Sequence, residues 1–143
     1  MMRAVRQQQP DAVFHLGDCE RDTQRLEKTF PDLPLYRVCG NCDREPVNPE
    51  VLQLTLDGVK FFLTHGHRYS VKYTLDALLN AAYFAGADIV LFGHTHRALC
   101  EQDGGVWYLN PGAAGVGASC TYACIETEDG EIRTAGIHAI PEA

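Results

Sequence analysis

Several side chains that could bind a metal ion stand at the ends of short apolar segments in this chain. They combine a carboxylate, an amide and imidazoles, and most of them lie beside a glycine. Hard oxygen ligands together with imidazole nitrogens suit Mn²⁺, Fe²⁺, Zn²⁺ or Ni²⁺ better than Ca²⁺ or an ion that prefers thiolates. The candidate metal ligands are Asp18, Asn41, His65, His94 and His96.

The predicted strand ends would bring these side chains together. In α/β proteins, the loops that follow the carboxyl ends of parallel strands carry the functional residues. Glycines such as Gly17 and Gly40 allow sharp turns that direct the next side chain into a shared cavity. Each residue alone has a simpler interpretation, because asparagine is common in turns and histidine can be a hydrogen-bonded structural residue. Their convergence is what favours a binding site.

The N-terminal third predicts a strand, a helix and a second strand. Apolar segments at 12–16 and 35–39 have the length and composition of buried strands. Between them, residues 20–30 place Leu26 among charged residues, as in a solvent-facing helix, and Pro31 ends that helix. A strand–helix–strand unit of this kind favours parallel pairing of the two strands.

The middle of the chain predicts a hairpin, a helix and a further strand. The dipeptide Asp57-Gly58 is typical of a type I′ hairpin turn, because both positions require positive φ. Ser70 is expected to cap the start of a helix that Gly86 ends. The predicted strands cover residues 51–56, 59–64 and 88–92.

The C-terminal part predicts two antiparallel hairpins. Turn signals at 103–105 and 129–130 each separate two segments rich in β-branched and aromatic residues. The small-residue segment 112–118 is expected to form a mobile loop. The predicted strands cover residues 99–102, 106–109, 121–127 and 132–137.

Composition narrows the range of functions. The formal net charge of −7 and the isoelectric point near 5.2 oppose binding to nucleic acid. No apolar run reaches about 18 residues and no signal sequence is recognisable, so we predict no membrane role and a cytoplasmic location. The cysteines are expected to be reduced. A redox role for Cys39 and Cys42 is disfavoured, because the prolines that follow prevent the helix that activates such thiols.

Four short motifs carry the candidate ligands: Gly17-Asp18, Gly40-Asn41-Cys42-Asp43, Thr64-His65-Gly66-His67 and Gly93-His94-Thr95-His96. Their order and spacing resemble the ordered motifs of calcineurin-like metallophosphoesterases. Cys42 and the Asn110-Pro111-Gly112 loop more narrowly resemble the small bacterial and archaeal phosphodiesterase branch. The resemblance extends from Asp11 to Ile137 and implies a single domain over residues 1–143.

The family resemblance implies an α/β fold of the metallophosphoesterase type, a four-layer sandwich of two mixed β-sheets flanked by helices. Asp18 would bridge two divalent metals, and His96 would serve the first site. Asn41, His65 and His94 would complete the second site. A hydroxide held between the metals would hydrolyse small phosphodiesters by attack on phosphorus. Mn²⁺ is the favoured ion, with Ni²⁺, Zn²⁺, Fe²⁺ and Mg²⁺ as alternatives.

Other residues would adapt this site to its substrate. The resemblance makes His67 a candidate contact to the phosphate. Cys42 stands where larger relatives have a histidine that protonates the leaving group, so substrates with good leaving groups, such as aryl phosphodiesters, are favoured. Arg68 and Lys72 are candidates for holding a phosphate-bearing substrate, or are solvated residues at the start of a helix. The loop 112–118 would also shape the site.

Relatives in this family begin with a strand that ends in Asp-x-His, and the present chain lacks that motif. The segment 1–9 resembles the end of the helix that follows that strand. The first metal site would then retain only Asp18 and His96, and exposed strand edges would favour a homo-oligomer. The alternative function is a catalytically impaired homologue that acts as a protein-binding scaffold, as the similar retromer subunit of eukaryotes does. A nuclease is disfavoured by the acidic charge and by Cys42.

Overall fold

The computed structural model describes residues 1–44, 47–115 and 119–140. These residues form α-helices and strands, which alternate from α1 to β2, while the later strands follow one another with α3 between β4 and β5. The helices are α1 (Met2–Gln8), α2 (Glu20–Thr29) and α3 (Asp76–Phe84). The strands are β1 (Val13–His15), β2 (Leu35–Arg37), β3 (Val51–Leu56), β4 (Val59–Thr64), β5 (Ile89–Phe92), β6 (Leu99–Asp103), β7 (Val106–Asn110), β8 (Thr121–Glu128) and β9 (Glu131–Ala139).

A five-stranded mixed sheet in the order β3-β4-β5-β7-β6 forms the centre of the fold. The three inner strands β4, β5 and β7 run parallel, and the two edge strands pair antiparallel with their neighbours. Strand β5 is buried along its whole length, as a continuous apolar run predicts. The carboxyl ends of β4 and β5 therefore lie side by side at one edge of the sheet, in the register Thr64 to Phe92.

Helix α3 covers one face of the central sheet. Its fully buried Leu78 and Ala82 pack in one cluster with Phe62 of β4 and with Val90 and Phe92 of β5. None of the described helices has the length and hydropathy needed to cross a bilayer.

Two strand pairs cover the opposite face of the central sheet. Strands β1 and β2 pair in parallel, as the strand–helix–strand pattern predicted, and β8 and β9 form the predicted antiparallel hairpin. The Phe14 and Phe61 ring centroids lie 5.0 Å apart, and Ile125 and Ile137 pack into the same cluster. In the described part of the chain these are two separate pairs rather than one second mixed sheet. The mixed α/β fold is confirmed, and the predicted homo-oligomer stays a prediction.

The two hairpin turns have the predicted geometry and contact each other. Asp57 and Gly58 have φ values of 49° and 76°, and Asp129 and Gly130 have values of 51° and 80°. Positive φ at both turn positions defines type I′. The Gly130 amide donates to the Asp57 carbonyl at 2.9 Å, so the β3–β4 turn is joined to the β8–β9 turn.

The predicted helix start at Ser70 is wrong. Ser70 has a φ of 54° and follows a single 3₁₀ turn at His67–Tyr69, whereas a helix N-cap needs an extended backbone. Helix α3 begins at Asp76, whose amide donates to the Thr74 hydroxyl at 3.3 Å. Gly86, with a φ of 67°, follows the helix end as predicted. Val71 is not helical, but it is buried in the same cluster as α3. This burial explains why the sequence already looks apolar before α3 begins.

Candidate metal centre

Four of the five predicted ligands meet around one nitrogen atom. The loops after β1, β2, β4 and β5 deliver Asp18, Asn41, His65 and His94 to the same edge of the fold. The Nε2 atom of His65 lies 3.0 Å from Asn41 Oδ1 and 3.2 Å from His94 Nδ1. It lies 3.3 Å from Asp18 Oδ2. These four residues are called the His65 cluster below.

A hydrogen bond to the backbone determines the tautomer of His65. Its Nδ1 atom lies 2.6 Å from the carbonyl oxygen of Leu16, and a carbonyl can only accept. Nδ1 therefore carries the proton, and Nε2 presents a lone pair to the cluster. Burial is the main cause that lowers the pKa of His65, so the ring is held in its neutral form.

The donor atoms of the His65 cluster fit a divalent cation. Asn41 Nδ2 lies 3.7 Å from Cys42 Sγ and donates to it, so its acceptor oxygen faces Nε2 of His65. That oxygen and the Asp18 carboxylate carry no proton, so they repel the Nε2 lone pair unless a cation lies between them. Ligands bound about 2.1 Å from one ion, at angles of about 90–110°, lie about 3.0–3.4 Å apart. The three distances from His65 Nε2 to Asn41, His94 and Asp18 match that spacing.

Asp43 holds the loop that carries Asp18. Its Oδ2 atom accepts hydrogen bonds from the backbone amides of Asp18 at 3.0 Å and Gly40 at 2.7 Å. The Cys42 amide donates to Asp18 Oδ1 at 2.9 Å, which leaves Oδ2 to face His65. The motifs alone did not indicate this role for Asp43. A local signal was present only for the bond to Gly40, because an aspartate three residues after a glycine can close a turn by accepting its backbone amide.

The cysteines near the cluster do not have the properties of reactive thiols. Cys42 is exposed, and the neighbouring Asp18 carboxylate is the main cause that raises the pKa of its thiol. Cys39 is buried, and burial raises the pKa of its thiol as well. Redox-active thiols have lowered pKa values, so the structure argues against thiol–disulfide exchange at this pair.

His67 lies beside the His65 cluster, whereas His96 has no described contact with it. The ring of His67 lies 5.4 Å from that of His65 and 6.2 Å from that of His94, measured between centroids. Its Nδ1 atom is buried and has no hydrogen-bond partner within the described residues. His96 is exposed, and no described hydrogen bond or ion pair joins it to the cluster. His96 as a ligand of a first metal site therefore stays a prediction.

The two positively charged side chains proposed to hold the substrate, Arg68 and Lys72, have different surroundings. Arg68 forms an ion pair with Glu50 at 2.8 Å, so its charge is already paired within the protein. Burial, followed by the charges of His65 and Lys72, lowers the pKa of His94, so Lys72 lies within electrostatic reach of the cluster. The predicted contribution of the loop 112–118 falls partly outside the described residues, which omit 116–118.

Metal-free protein is expected to lose stability as the pH falls below about 6.5. Burial is the main cause that lowers the pKa of His15, His65 and His94. Between the folded pKa values and about 6.5, the unfolded chain binds more protons than the folded chain does. The free energy of unfolding therefore decreases as the pH is lowered through this range. Urea unfolding in EDTA at several pH values between 7.5 and 5.5 would measure this. His15→Gln should flatten the dependence, and a pH-independent free energy of unfolding would contradict the expectation.

The fold and the motifs define the class of this protein. Residues 1–130 match the family described as calcineurin-like phosphoesterase superfamily domain. The chain belongs to that superfamily, as the ordered motifs of the sequence predicted.

Curated relatives and solved structures agree with this classification. The chain is 38% identical over 104 residues to the "Probable metallophosphoesterase YsnB" of Bacillus subtilis, covering 72% of this chain and 59% of that protein. It is 28% identical to the "Phosphodiesterase YfcE" of Escherichia coli K12, covering 64% of this chain and 52% of that protein. The chain thus spans little more than half the length of these relatives. A crystal structure of a predicted phosphoesterase from Streptococcus pneumoniae TIGR4 superposes with a TM-score of 0.73 at 28% identity, covering 91% of this chain and 82% of that one.

Proposed function

We propose that this chain hydrolyses small phosphodiesters with a divalent metal ion bound at the His65 cluster. The observation that carries the proposal is the approach of three potential metal-ligand atoms to the unprotonated Nε2 atom of His65. Asn41 Oδ1, His94 Nδ1 and Asp18 Oδ2 lie within 3.0–3.3 Å of it. Membership of the phosphoesterase superfamily supplies the kind of reaction. The relatives named as a phosphodiesterase and a metallophosphoesterase support the metal and the substrate class.

The residues of the chain prepare this site in two ways. Asp18, Asn41, His65 and His94 would hold the ion, with Mn²⁺ as the favoured ion and Ni²⁺, Zn²⁺, Fe²⁺ and Mg²⁺ as alternatives, because mixed oxygen and imidazole donors suit several divalent metals. When bound, a divalent cation supplies Lewis acidity, which polarises phosphoryl oxygens and acidifies water. The Leu16 carbonyl fixes the tautomer of His65, which is a typical arrangement for metal-binding histidines.

The residues around the cluster favour a particular kind of substrate. The thiol of Cys42 has a pKa raised by Asp18, so it is a poor proton donor compared with an imidazole. Esters with good leaving groups, such as aryl phosphodiesters, are therefore favoured. His67 is the proposed contact to a phosphate oxygen, since its Nδ1 atom has no hydrogen-bond partner among the described residues. The acidic charge of the chain favours a small substrate over nucleic acid.

Hydrolysis of bis-p-nitrophenyl phosphate with added Mn²⁺ tests the proposed function. His94→Ala removes an imidazole that contacts His65 Nε2, and is expected to reduce the rate by about 100-fold or more, since a catalytic metal contributes several kcal/mol to the barrier. The matched control is His138→Ala, which removes an exposed imidazole from β9 beside Tyr122. The control should stay within about twofold of the wild type, as expected for an exposed residue outside the site.

Two results would contradict this function. Equal rates for the wild type and His94→Ala would exclude catalysis at the His65 cluster. A folded wild-type chain that binds Mn²⁺ but does not hydrolyse aryl phosphodiesters would favour the alternative of a protein-binding scaffold.

A further inference from the structure

A buried amide stands beside the loop that carries His94. Asn110 is the last residue of β7 and is 0% exposed. Because β7 pairs in parallel with β5, the end of β7 lies next to the loop 93–97 that follows β5. A polar side chain at such a position requires hydrogen-bond partners, since an unpaired buried amide is strongly unfavourable.

The side chain of Asn110 joins two loops through hydrogen bonds. Its Nδ2 atom donates to the Gly93 carbonyl at 2.9 Å and to the Thr95 hydroxyl at 3.0 Å. Its Oδ1 atom accepts from the Gly112 amide at 3.0 Å. Both protons of the amide group therefore go to residues that flank His94 directly.

The loop 93–97 has a backbone that needs such support. His94 and His96 have φ values of 67° and 57°, in the left-handed region that residues other than glycine rarely adopt. Conformations of this kind persist only where the surroundings impose them. The Thr95 amide donates to the Gly93 carbonyl at 2.8 Å, and the Arg97 amide donates to the Thr95 hydroxyl at 3.2 Å. Both acceptors are the same atoms that Asn110 binds.

We infer that Asn110 is a positioning residue that holds the loop 93–97 in the conformation which places His94 against His65. Asn110 acts through Gly93 and Thr95. The Nδ1 atom of His94 lies 3.2 Å from His65 Nε2, and that approach depends on the φ of His94. The consequence for metal binding rests on the proposed function, whereas the restraint of the loop does not.

The variant Asn110→Asp keeps the acceptor oxygen of this side chain and removes its NH₂ donor group. A carboxylate still accepts from the Gly112 amide, but it cannot donate to Gly93 or Thr95. In metal-free protein, hydrogen exchange measured by NMR should become about 10-fold or more faster at the Thr95 and Arg97 amides. The Gly93 amide, which donates to the His65 carbonyl at 3.0 Å, should change much less.

The matched control is Thr121→Val. The Thr121 hydroxyl donates to the Pro111 carbonyl at 2.6 Å, so this variant removes a hydrogen bond from the same 110–112 segment without touching the loop 93–97. Its exchange rates at Thr95 and Arg97 should equal those of the wild type. Equal rates in Asn110→Asp and the wild type would overturn the inference.

Titration with Co²⁺ alone tests the consequence for the metal centre. At a temperature where circular dichroism shows each variant folded, Asn110→Asp should bind Co²⁺ about 10- to 100-fold more weakly, as is typical when support of a metal ligand is lost. Unchanged Co²⁺ affinity would overturn the positioning role. Absence of Co²⁺ binding by the wild type would instead overturn the proposed function, while faster exchange in Asn110→Asp would still support the restraint of the loop.

A second pair of variants keeps the test valid if Asn110→Asp does not fold. Thr95→Val removes the hydroxyl that Asn110 and the Arg97 amide both reach, and Thr95→Ser retains it. Thr95→Ser is expected to preserve both slow exchange at Arg97 and Co²⁺ affinity, whereas Thr95→Val should lose both. Equal behaviour of the two variants would overturn the inference.

Discussion

Replacement of Asp18 by asparagine is expected to abolish Mn²⁺ binding at micromolar metal and to reduce phosphodiester hydrolysis by about 100- to 10,000-fold. Asp18 supplies the only carboxylate of the His65 cluster, and its Oδ2 atom lies 3.3 Å from His65 Nε2. The variant removes the negative charge that attracts the cation. Its amide group can also donate to the Nε2 lone pair and so occupy the place of the ion.

The same substitution should leave the metal-free protein at least as stable as the wild type. A donor facing His65 Nε2 replaces a repulsive contact by a hydrogen bond, which contributes about 1 kcal/mol. Calorimetric Mn²⁺ titration and urea unfolding in EDTA measure the two effects separately. Asp32→Asn is the control, because Asp32 is exposed in the turn after α2 and the charge change is identical. Retained Mn²⁺ affinity in Asp18→Asn would show that the cluster is not a metal site.

Gly40→Ala is expected to destabilise the protein by about 1–3 kcal/mol and to weaken Mn²⁺ binding at least about 10-fold. A Cβ atom added at Gly40 would lie 2.6 Å from the backbone nitrogen of Asp18 and 2.7 Å from its Cγ, and it would also meet Oδ1. Backbone atoms cannot move away as the end of a flexible side chain can. Asp18 would therefore be displaced from His65, or the loops after β1 and β2 would separate.

Gly115→Ala is the matched control for this prediction. A Cβ atom added at Gly115 meets no atom of the described residues within 4 Å, and the backbone there does not need a left-handed conformation. Urea unfolding and Mn²⁺ titration of both variants would show whether the close approach at Gly40, rather than the loss of a glycine, causes the effect. A Gly40→Ala protein with the midpoint and affinity of the wild type would contradict the packing described for the Asp18 loop.

The positions of the strands and of the hairpin turns could be predicted from the sequence because their causes are local. Alternating or continuous apolar residues predicted β3, β4 and β5 nearly to the residue. The Asp57-Gly58 dipeptide predicted its turn, since only residues that tolerate positive φ allow that geometry. The ordered motifs predicted the family and named five candidate ligands, of which the structure brings four together. Each ligand could be named because it follows a recognisable strand end.

The tertiary structure alone decided how those ligands are held. The tautomer of His65 depends on the carbonyl of Leu16, which lies 49 residues away in the chain. The loop of His94 depends on Asn110, and the loop of Asp18 depends on Asp43, which is 25 residues away. Periodicity and turn propensity describe neighbours in sequence. Hydrogen bonds between distant segments arise only when the strands pair and bring their ends together, so no local pattern could have predicted them.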